Sequence, residues 1–281
     1  MSKDPTPSTQ ILRRYERLRT ILAETTGALI AFSGGVDSTL LLHAAGEVLQ
    51  DRVMAATIST PYIPRWEIAE AEEFAKSLNI HHAVLDMEFP EELRMNPPDH
   101  CYTCKRILFT RLLDEAKQRG LPAVLDGTNV DDLSDYRPGL QALRELGIRS
   151  PLMEAGLSKQ DIRELSRQLG LPTWNKPSFA CLLSRMEVNR RIKEADFARV
   201  EQAERLLMDN GFPAVRVRQH GDAARIEVPR DRIAALVEAN LRHGFDATIK
   251  QLGYRYVTVD LTGYVMGSQN LDPPEKRESQ D

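Results

Sequence analysis

A short apolar run that ends in a glycine-rich loop and continues into a helix-like stretch is the feature that most constrains this chain. Residues 28–32 read ALIAF, residues 33–38 read SGGVDS, and apolar side chains then recur at helical spacing up to residue 49. In such a strand–loop–helix unit the first N–H groups of the helix face the loop and can bind an anion. The loop has neither the lysine nor the spacing of a Walker loop, so a different phosphate chemistry is expected.

Further strand-like and helix-like runs alternate through the first half of the chain. Strands are predicted at 53–58, 83–85 and 123–125, and helices at 65–78, 108–119 and 157–169. Alternation with short connections predicts an α/β fold, a doubly wound parallel sheet whose ligands bind at the carboxyl ends of the strands. The 33–38 loop and the sequence DGTN at 126–129 both follow predicted strands.

The pattern changes in the second half of the chain. A helix at 193–208 precedes two strands that turn at Gly221-Asp222, a helix at 231–243 and a strand at 254–261. These runs predict a smaller α+β domain. The expected divisions are the α/β domain at 1–185, the α+β domain at 186–270, and a charged, proline-containing tail at 271–281 that is expected to be disordered.

Composition narrows the class of protein. The net charge of −4 over 281 residues argues against a nucleic-acid partner. The chain has no apolar run of the roughly 18 residues needed to cross a membrane, and its first residues show no secretory signal. The three cysteines do not suggest a disulfide framework. A cytoplasmic location and no membrane partner are expected.

The residue types in the 33–38 loop predict a nucleotide site with a metal ion. Gly34 and Gly35 let backbone N–H groups approach phosphate, and Ser33 and Ser38 supply hydroxyl donors. Asp37 would repel phosphate unless both share a Mg²⁺ ion. The alternative is a tight turn in which Ser38 caps the helix.

The string S-G-G-V-D-S resembles the PP-loop of the ATP pyrophosphatases, whose fold is also called HUP-like. The resemblance implies that ATP is cleaved between its α- and β-phosphates while the loop holds the departing pyrophosphate. A substrate oxygen is adenylated and a nucleophile then displaces the AMP. The implied ATP ligands in this loop are Ser33, Gly34, Gly35, Val36, Asp37 and Ser38, and Asp37 is also the implied magnesium ligand.

A second block, G-T-N-V-D-D at 127–132, continues to D-Y-R-P-G at 135–139. Gly127 permits a close backbone approach, Thr128 and Asn129 offer neutral contacts to sugar or phosphate, and the acids can orient a second Mg²⁺ or cap a helix. The whole block resembles one PP-loop branch, the LarE sulfur transferases. The implied ATP contacts are Gly127, Thr128, Asn129 and Asp132.

A third block, P-S-F-A-C-L-L-S-R at 177–185, places Cys181 near Ser184 and Arg185. A thiolate can attack an adenylated carboxyl group, and a nearby arginine lowers the pKa of a thiol. The alternative is a buried, inert cysteine. The block is similar to LarE proteins, in some of which the cysteine at this position gives up its own sulfur and becomes dehydroalanine. The resemblance implies that Cys181, Ser184 and Arg185 act with Asp37 in catalysis.

Two arginines alternate along a predicted strand, where Arg216 and Arg218 share a face that can bind phosphate or carboxylate. The alternative is a solvated strand face. LarE proteins carry a closely similar string, which implies a substrate-phosphate site formed by Arg216, Arg218 and Glu227. Residues 263–270 match LarE proteins more weakly. At the position of Val265 that resemblance leads us to expect an arginine.

Cys101 and Cys104 form a C-x-x-C pair. Three cysteines cannot complete a Cys₄ zinc site, and a Cys₃His site using the adjoining His100 is strained. With Cys181 they can hold a [4Fe–4S] cluster that leaves one iron open for sulfide. A reduced thiol pair and a redox dithiol remain alternatives. The resemblance of this segment to LarE-like proteins implies the cluster. Cys181 cannot easily be both a ligand of that cluster and a cysteine that gives up its own sulfur.

Together these resemblances imply an ATP-dependent sulfur transferase. Its implied substrate is pyridinium-3,5-biscarboxylic acid mononucleotide, converted to a thiocarboxylate for a nickel-pincer cofactor, with ATP, Mg²⁺ and a [4Fe–4S] cluster as cofactors. A homo-oligomer is expected. Three alternatives stay open: a tRNA 2-thiolation enzyme, which predicts a basic surface; an NAD-synthetase-like ligase, which uses ammonia; and a non-catalytic nucleotide or sulfur carrier.

Overall fold

The computed structural model describes residues 8–133, 138–177 and 180–264. Contacts within the chain divide it into two compact units, Met1–Phe179 and Ala180–Asp281. Some positions named in the sequence analysis lie outside the described residues. They are the motif positions 134–137 and 178–179, Val265 and the predicted tail. The domain boundaries expected after residues 185 and 270 stay predictions.

Four parallel strands form the sheet of the first unit, in the order β3-β2-β1-β4. They are β1 (Ala28–Ala31), β2 (Val53–Ser59), β3 (His81–Asp86) and β4 (Ala123–Leu125). Strand β1 pairs with β2 on one side and with β4 on the other, so the winding reverses between β1 and β4. A reversal of this kind is where α/β sheets bind ligands, and the two loops that carry the candidate ATP motifs follow these two strands.

Helices cover both faces of this sheet, which confirms the doubly wound α/β fold. They are α1 (Thr9–Ala23), α2 (Val36–Leu49), α3 (Arg65–Ser77), α4 (His100–Gln118), α5 (Pro138–Glu145), α6 (Pro151–Glu154) and α7 (Lys159–Gln168). Because strand side chains alternate, Ala28 and Ile30 of β1 join a core with α1, α2 and α7, whereas Leu29 joins a second core with α4 and α5.

Helix α4 begins at His100, eight residues before the predicted start at residue 108. The prediction was wrong because residues 100–107 carry few aliphatic side chains. Cys104 is buried at the start of the second turn, at 9% exposure, on the face that also buries Phe109 and Leu112. A free cysteine packs as a small apolar residue. The C-x-x-C pair therefore lies at the start of a helix, within its first five residues.

The second unit contains a three-stranded mixed sheet in the order β5-β6-β7. Its elements are α8 (Glu194–Asp209), β5 (Arg216–His220), β6 (Ala223–Glu227), α9 (Ile233–His243), α10 (Phe245–Gln251) and β7 (Tyr256–Val259). Strands β5 and β6 form the predicted antiparallel hairpin, and its turn uses Gly221 at a φ of 55°. Across the described ranges of both units, no helix is both long and apolar enough to cross a membrane.

Candidate active site

The loop after β1 is held by its two serines. The hydroxyl oxygens of Ser33 and Ser38 lie 3.1 Å apart, and Ser38 Oγ also donates to Gly35 O at 3.2 Å. Helix α2 starts at Val36 with Gly35 as its N-cap residue, and no side chain caps it. Ser38 thus lies inside the first turn and is not the helix cap of the alternative interpretation. The first-turn N–H groups of α2 face the loop. An anion bound there can accept hydrogen bonds from them.

The loop after β4 packs directly on the start of α2 because of a glycine. A Cβ atom added at Gly127 would lie 3.0 Å from Ser38 N and 3.3 Å from the carbonyl carbon of Asp37. Such a side chain would collide with backbone, which cannot move aside cheaply. Gly127 therefore brings together the two loops that were predicted separately.

Asp37 occupies the place where these loops meet. Its carboxylate accepts from Lys159 Nζ at 2.5 Å and from Asn129 Nδ2 at 3.3 Å. Burial raises the pKa of Asp37 above its ordinary value, the nearby Asp132 adds to this rise, and Lys159 opposes it. The oxygen atoms of Asp37, Asn129 and Asp132 are of the donor type that Mg²⁺ prefers, and in nucleotide sites phosphate and water supply the other ligands.

Lys159 was missed by the sequence analysis. It is the first residue of α7, and the helix start is fixed by a capping box between Ser158 and Asp161. Lys159 N also donates to Asp131 Oδ2 at 2.9 Å. The phosphate loop itself has no lysine, yet this helix brings one to Asp37 from 122 residues further along the chain. Only the helix cap was visible in the sequence, and it gave no hint of the contact.

The other polar residues of the second loop hold its shape. Buried Asp126 accepts from Thr128 Oγ1 and from Ser150 Oγ, each at 2.5 Å. Asp132 Oδ2 accepts from Asn129 N at 3.0 Å. The roles of Thr128, Asn129 and Asp132 as ATP ligands stay predictions, and these bonds show how the loop is kept in place.

In the second unit the residues around Cys181 form a hydrogen-bonded turn. Ser184 donates to Cys181 O from its N–H at 3.1 Å and from its hydroxyl at 2.8 Å. Arg185 donates to Ser184 Oγ at 2.7 Å and pairs with Glu204 at 2.8 Å. Cys181 is half-buried, so it is not the fully buried cysteine of the alternative interpretation, and its catalytic role stays a prediction. The turn joins the three residues predicted for catalysis in this part of the chain.

Arg216 and Arg218 are buried rather than on a solvated strand face. Arg218 donates to Glu227 Oε1 at 2.7 Å and to Ser184 O at 2.6 Å. Burial, and then the charge of Arg185, lower the pKa of Arg216 from its ordinary value. Three buried guanidinium groups therefore lie in one cluster with the carboxylates of Glu204 and Glu227, and this positive excess suits an anion.

The buried pair of Arg185 and Glu204 leads to a stability prediction. Glu204 Oε1 also accepts from Val217 N at 2.9 Å. The substitution Glu204→Gln leaves the buried Arg185 uncompensated, so the free energy of unfolding is expected to fall by about 3 kcal/mol. Urea unfolding checks this value. The control is Glu238→Gln, which affects an exposed pair with Arg242 and should cost less than about 0.5 kcal/mol. Equal losses in the two variants would contradict the prediction.

The two cysteines of α4 have different environments. Cys101 is exposed, whereas Cys104 is buried with its sulfur 3.5 Å from Tyr62 Oη. Both belong to the first unit and Cys181 to the second. Within residues 8–133, 138–177 and 180–264, no group of three or more His, Cys, Asp or Glu side chains is placed to hold a metal ion. The predicted iron–sulfur site stays a prediction.

A parallel sheet whose first strand is followed by the loop S-G-G-V-D-S and a helix is the arrangement of the PP-loop class of α/β proteins. In agreement, residues 27–97 match the model of the queuosine biosynthesis protein QueC family. Pyridinium-3,5-bisthiocarboxylic acid mononucleotide synthase of Lactiplantibacillus plantarum is 41% identical over 86% of this chain and 88% of its own length. The chain therefore belongs to the LarE family of PP-loop sulfur transferases, which are enzymes.

Two uncharacterised proteins are similar over comparable lengths. One from Synechocystis sp. is 40% identical over 92% of this chain and 97% of its own length. One from Methanocaldococcus jannaschii is 34% identical over 84% of this chain and 90% of its own length. Both units of the chain are therefore included in these matches.

Proposed function

We propose that this enzyme adenylates a carboxylate of pyridinium-3,5-biscarboxylic acid mononucleotide and exchanges the AMP for sulfur, giving a thiocarboxylate for a nickel-pincer cofactor. The Lactiplantibacillus relative is a pyridinium-3,5-bisthiocarboxylic acid mononucleotide synthase. The structural observation that carries the proposal is the meeting of the two motif loops at Asp37, beside the start of α2.

In the proposed first step a carboxylate oxygen of the substrate attacks the α-phosphorus of ATP. The bond from the α-phosphorus to the bridging oxygen breaks, and pyrophosphate leaves with that electron pair. Ser33, Ser38 and the first-turn N–H groups of α2 bind the pyrophosphate. Asp37 would hold Mg²⁺ in place of its contact with Lys159, and the ammonium of Lys159 would then compensate part of the phosphate charge.

In the proposed second step sulfur attacks the carboxyl carbon and the bond from that carbon to the AMP oxygen breaks. We assign Cys181, whose turn is held by Ser184 and Arg185, to this sulfur-transfer step. It acts there either as a ligand of a sulfide-carrying cluster or as the sulfur donor itself. Arg216 and Arg218 are assigned to the phosphate of the mononucleotide, with Glu227 orienting Arg218.

The source of the sulfur separates two routes. Cys101 and Cys104 are three residues apart on one helical turn, a spacing and donor type that fit two corners of an iron–sulfur cluster. We propose the cluster route, in which these two thiolates and that of Cys181 would hold the cluster and the cluster would supply an open iron for external sulfide. In the competing route the Cβ–Sγ bond of Cys181 breaks with loss of the Cα proton and leaves dehydroalanine. The homo-oligomer and the cytoplasmic location stay predictions.

The products of ATP test the proposal. Purified protein, Mg²⁺, ATP, the pyridinium mononucleotide and a sulfur source are expected to give AMP and pyrophosphate in equal amounts, as measured by phosphorus NMR. A reaction without the mononucleotide serves as the control and should be much slower. Formation of ADP and orthophosphate would overturn the proposal, because it would mean attack at the γ-phosphate.

A further inference from the structure

Lys176 lies against the loop after β1, although its position in the chain is 142 residues away. Its Nζ donates to Gly34 O at 3.0 Å and to Glu70 Oε2 at 2.7 Å, and it lies 5.6 Å from the centre of the Trp66 ring. Its side chain is only 14% exposed. A loop carbonyl, a carboxylate and an aromatic face thus replace most of the water around this ammonium.

The segment that carries Lys176 is itself fixed to the first unit. Arg163 of α7 donates to Trp174 O at 2.7 Å and to Lys176 O at 2.8 Å. Lys176 N donates to Thr173 O at 2.9 Å. Because the backbone is already ordered by these bonds, little further entropy is lost when the ammonium binds the loop.

The bond to Gly34 O sets the orientation of the peptide group between Gly34 and Gly35. The described residues contain no cis peptide bond, and in a trans peptide the C=O and N–H groups point to opposite sides. With its carbonyl held by Lys176, this peptide directs Gly35 N–H to the side of Ser33, where it donates a long bond of 3.4 Å to Ser33 Oγ. A phosphate oxygen bound on that side can accept the same N–H.

The backbone at these glycines would otherwise be free to turn. Gly34 has a φ of 67°, a conformation open to glycine, and two adjacent glycines offer little steric resistance to rotation of the peptide between them. Helix α3 restricts the loop from one side, since a Cβ atom at Gly34 would lie 3.3 Å from Ala71 Cβ. Trp66 and Glu70, the other partners of Lys176, belong to the same helix.

We infer that Lys176 is a positioning residue for pyrophosphate, which it serves by holding the Gly34–Gly35 peptide so that Gly35 N–H faces the departing anion. The inference rests on the proposed function, in which this loop binds pyrophosphate. Lys176 acts through the backbone and makes no contact with the reacting atoms. Its loss should therefore weaken the binding of pyrophosphate and leave the binding of AMP, which does not fill the loop, unchanged.

The test is calorimetric titration of the full chain with Mg²⁺–pyrophosphate and, separately, with AMP. Lys176→Met is expected to raise the Kd for pyrophosphate about 10-fold, the effect of one charge-assisted hydrogen bond, with the Kd for AMP within about 2-fold of wild type. Lys176→Arg, which keeps the charge and the donors, should restore pyrophosphate binding to within about 3-fold. The matched control is Lys76→Met on the exposed surface of α3, which should change neither Kd.

The possible results of these titrations test the inference about Lys176 and the proposed function separately. If Lys176→Met binds pyrophosphate as well as wild type does, the inference is wrong while the proposed function stands. Equal weakening for pyrophosphate and AMP would show a general structural role and would also overturn it. If the wild-type protein binds AMP but not pyrophosphate, the pyrophosphate site of the proposed function fails, and the inference fails with it.

Discussion

The variant Asp37→Asn is expected to release pyrophosphate from ATP at least about 100-fold more slowly than wild type. Asparagine keeps the size of the side chain and its bond from Asn129, but it lacks the negative charge that holds Mg²⁺. The rate of pyrophosphate release in the presence of the mononucleotide measures the effect. Asp51→Asn, an exposed change beyond the end of α2, is the control and should have the wild-type rate.

The same variant should not be less stable at neutral pH. The pKa of Asp37 is raised above 3.8, first by burial, so the folded protein holds this proton more tightly than the unfolded chain does. Stability from this group is therefore present below pH 3.8 and is lost as the pH rises through the raised pKa. Thermal unfolding should show a Tm for Asp37→Asn equal to or above that of wild type at pH 7. A lower Tm together with lost activity would indicate damage to the fold instead.

The variant Cys181→Ala is expected to form no detectable thiocarboxylate while it still releases pyrophosphate within about 3-fold of the wild-type rate. The reason is that adenylation uses the loops of the first unit, whereas Cys181 is needed for sulfur transfer in either proposed route. Mass spectrometry of the mononucleotide should then detect the AMP ester or its hydrolysis product. Normal thiocarboxylate formation by this variant would contradict the role given to Cys181.

Cys101→Ala distinguishes the two sulfur sources. Cys101 is exposed, so the change should leave the fold intact. If sulfur comes through a cluster, this variant loses thiocarboxylate formation as completely as Cys181→Ala does. If Cys181 is consumed, Cys101→Ala still makes about one product per chain, and the protein loses one H₂S at Cys181.

Much of the fold could be predicted from the sequence because the first unit repeats a local pattern. Buried parallel strands are short apolar runs, and β1, β2 and β4 lie within one residue of the predicted ranges at 28–32, 53–58 and 123–125. Helix α1 was not predicted, although Leu18, Ile21 and Leu22 give it an aliphatic buried face. Helix α4 began earlier than expected because Cys104 fills a core position. Elements whose buried face includes residues other than aliphatic ones give a weak periodic signal.

The site could be predicted only where it is local in the chain. The PP-loop and the 127–132 loop each show their glycines, hydroxyls and acids within six residues, and their meeting follows from the strand order. Lys159 and Lys176 reach the loop from more than 120 residues away, and their contacts depend on the packing of α7 and the segment after it. Likewise, Arg216 is buried by side chains of other elements. The alternation of residues along its own strand gives no information about those side chains.

The most direct test of the central claim is the fate of the carboxylate oxygen. The mononucleotide, labelled with ¹⁸O in its carboxylates, is incubated with the protein, ATP, Mg²⁺ and a sulfur source, and the AMP is analysed by mass spectrometry. Adenylation predicts that each AMP carries one ¹⁸O, because the oxygen that attacked the α-phosphorus leaves with it. Unlabelled AMP formed together with thiocarboxylate would contradict the account, since sulfur would then have entered without an acyl adenylate.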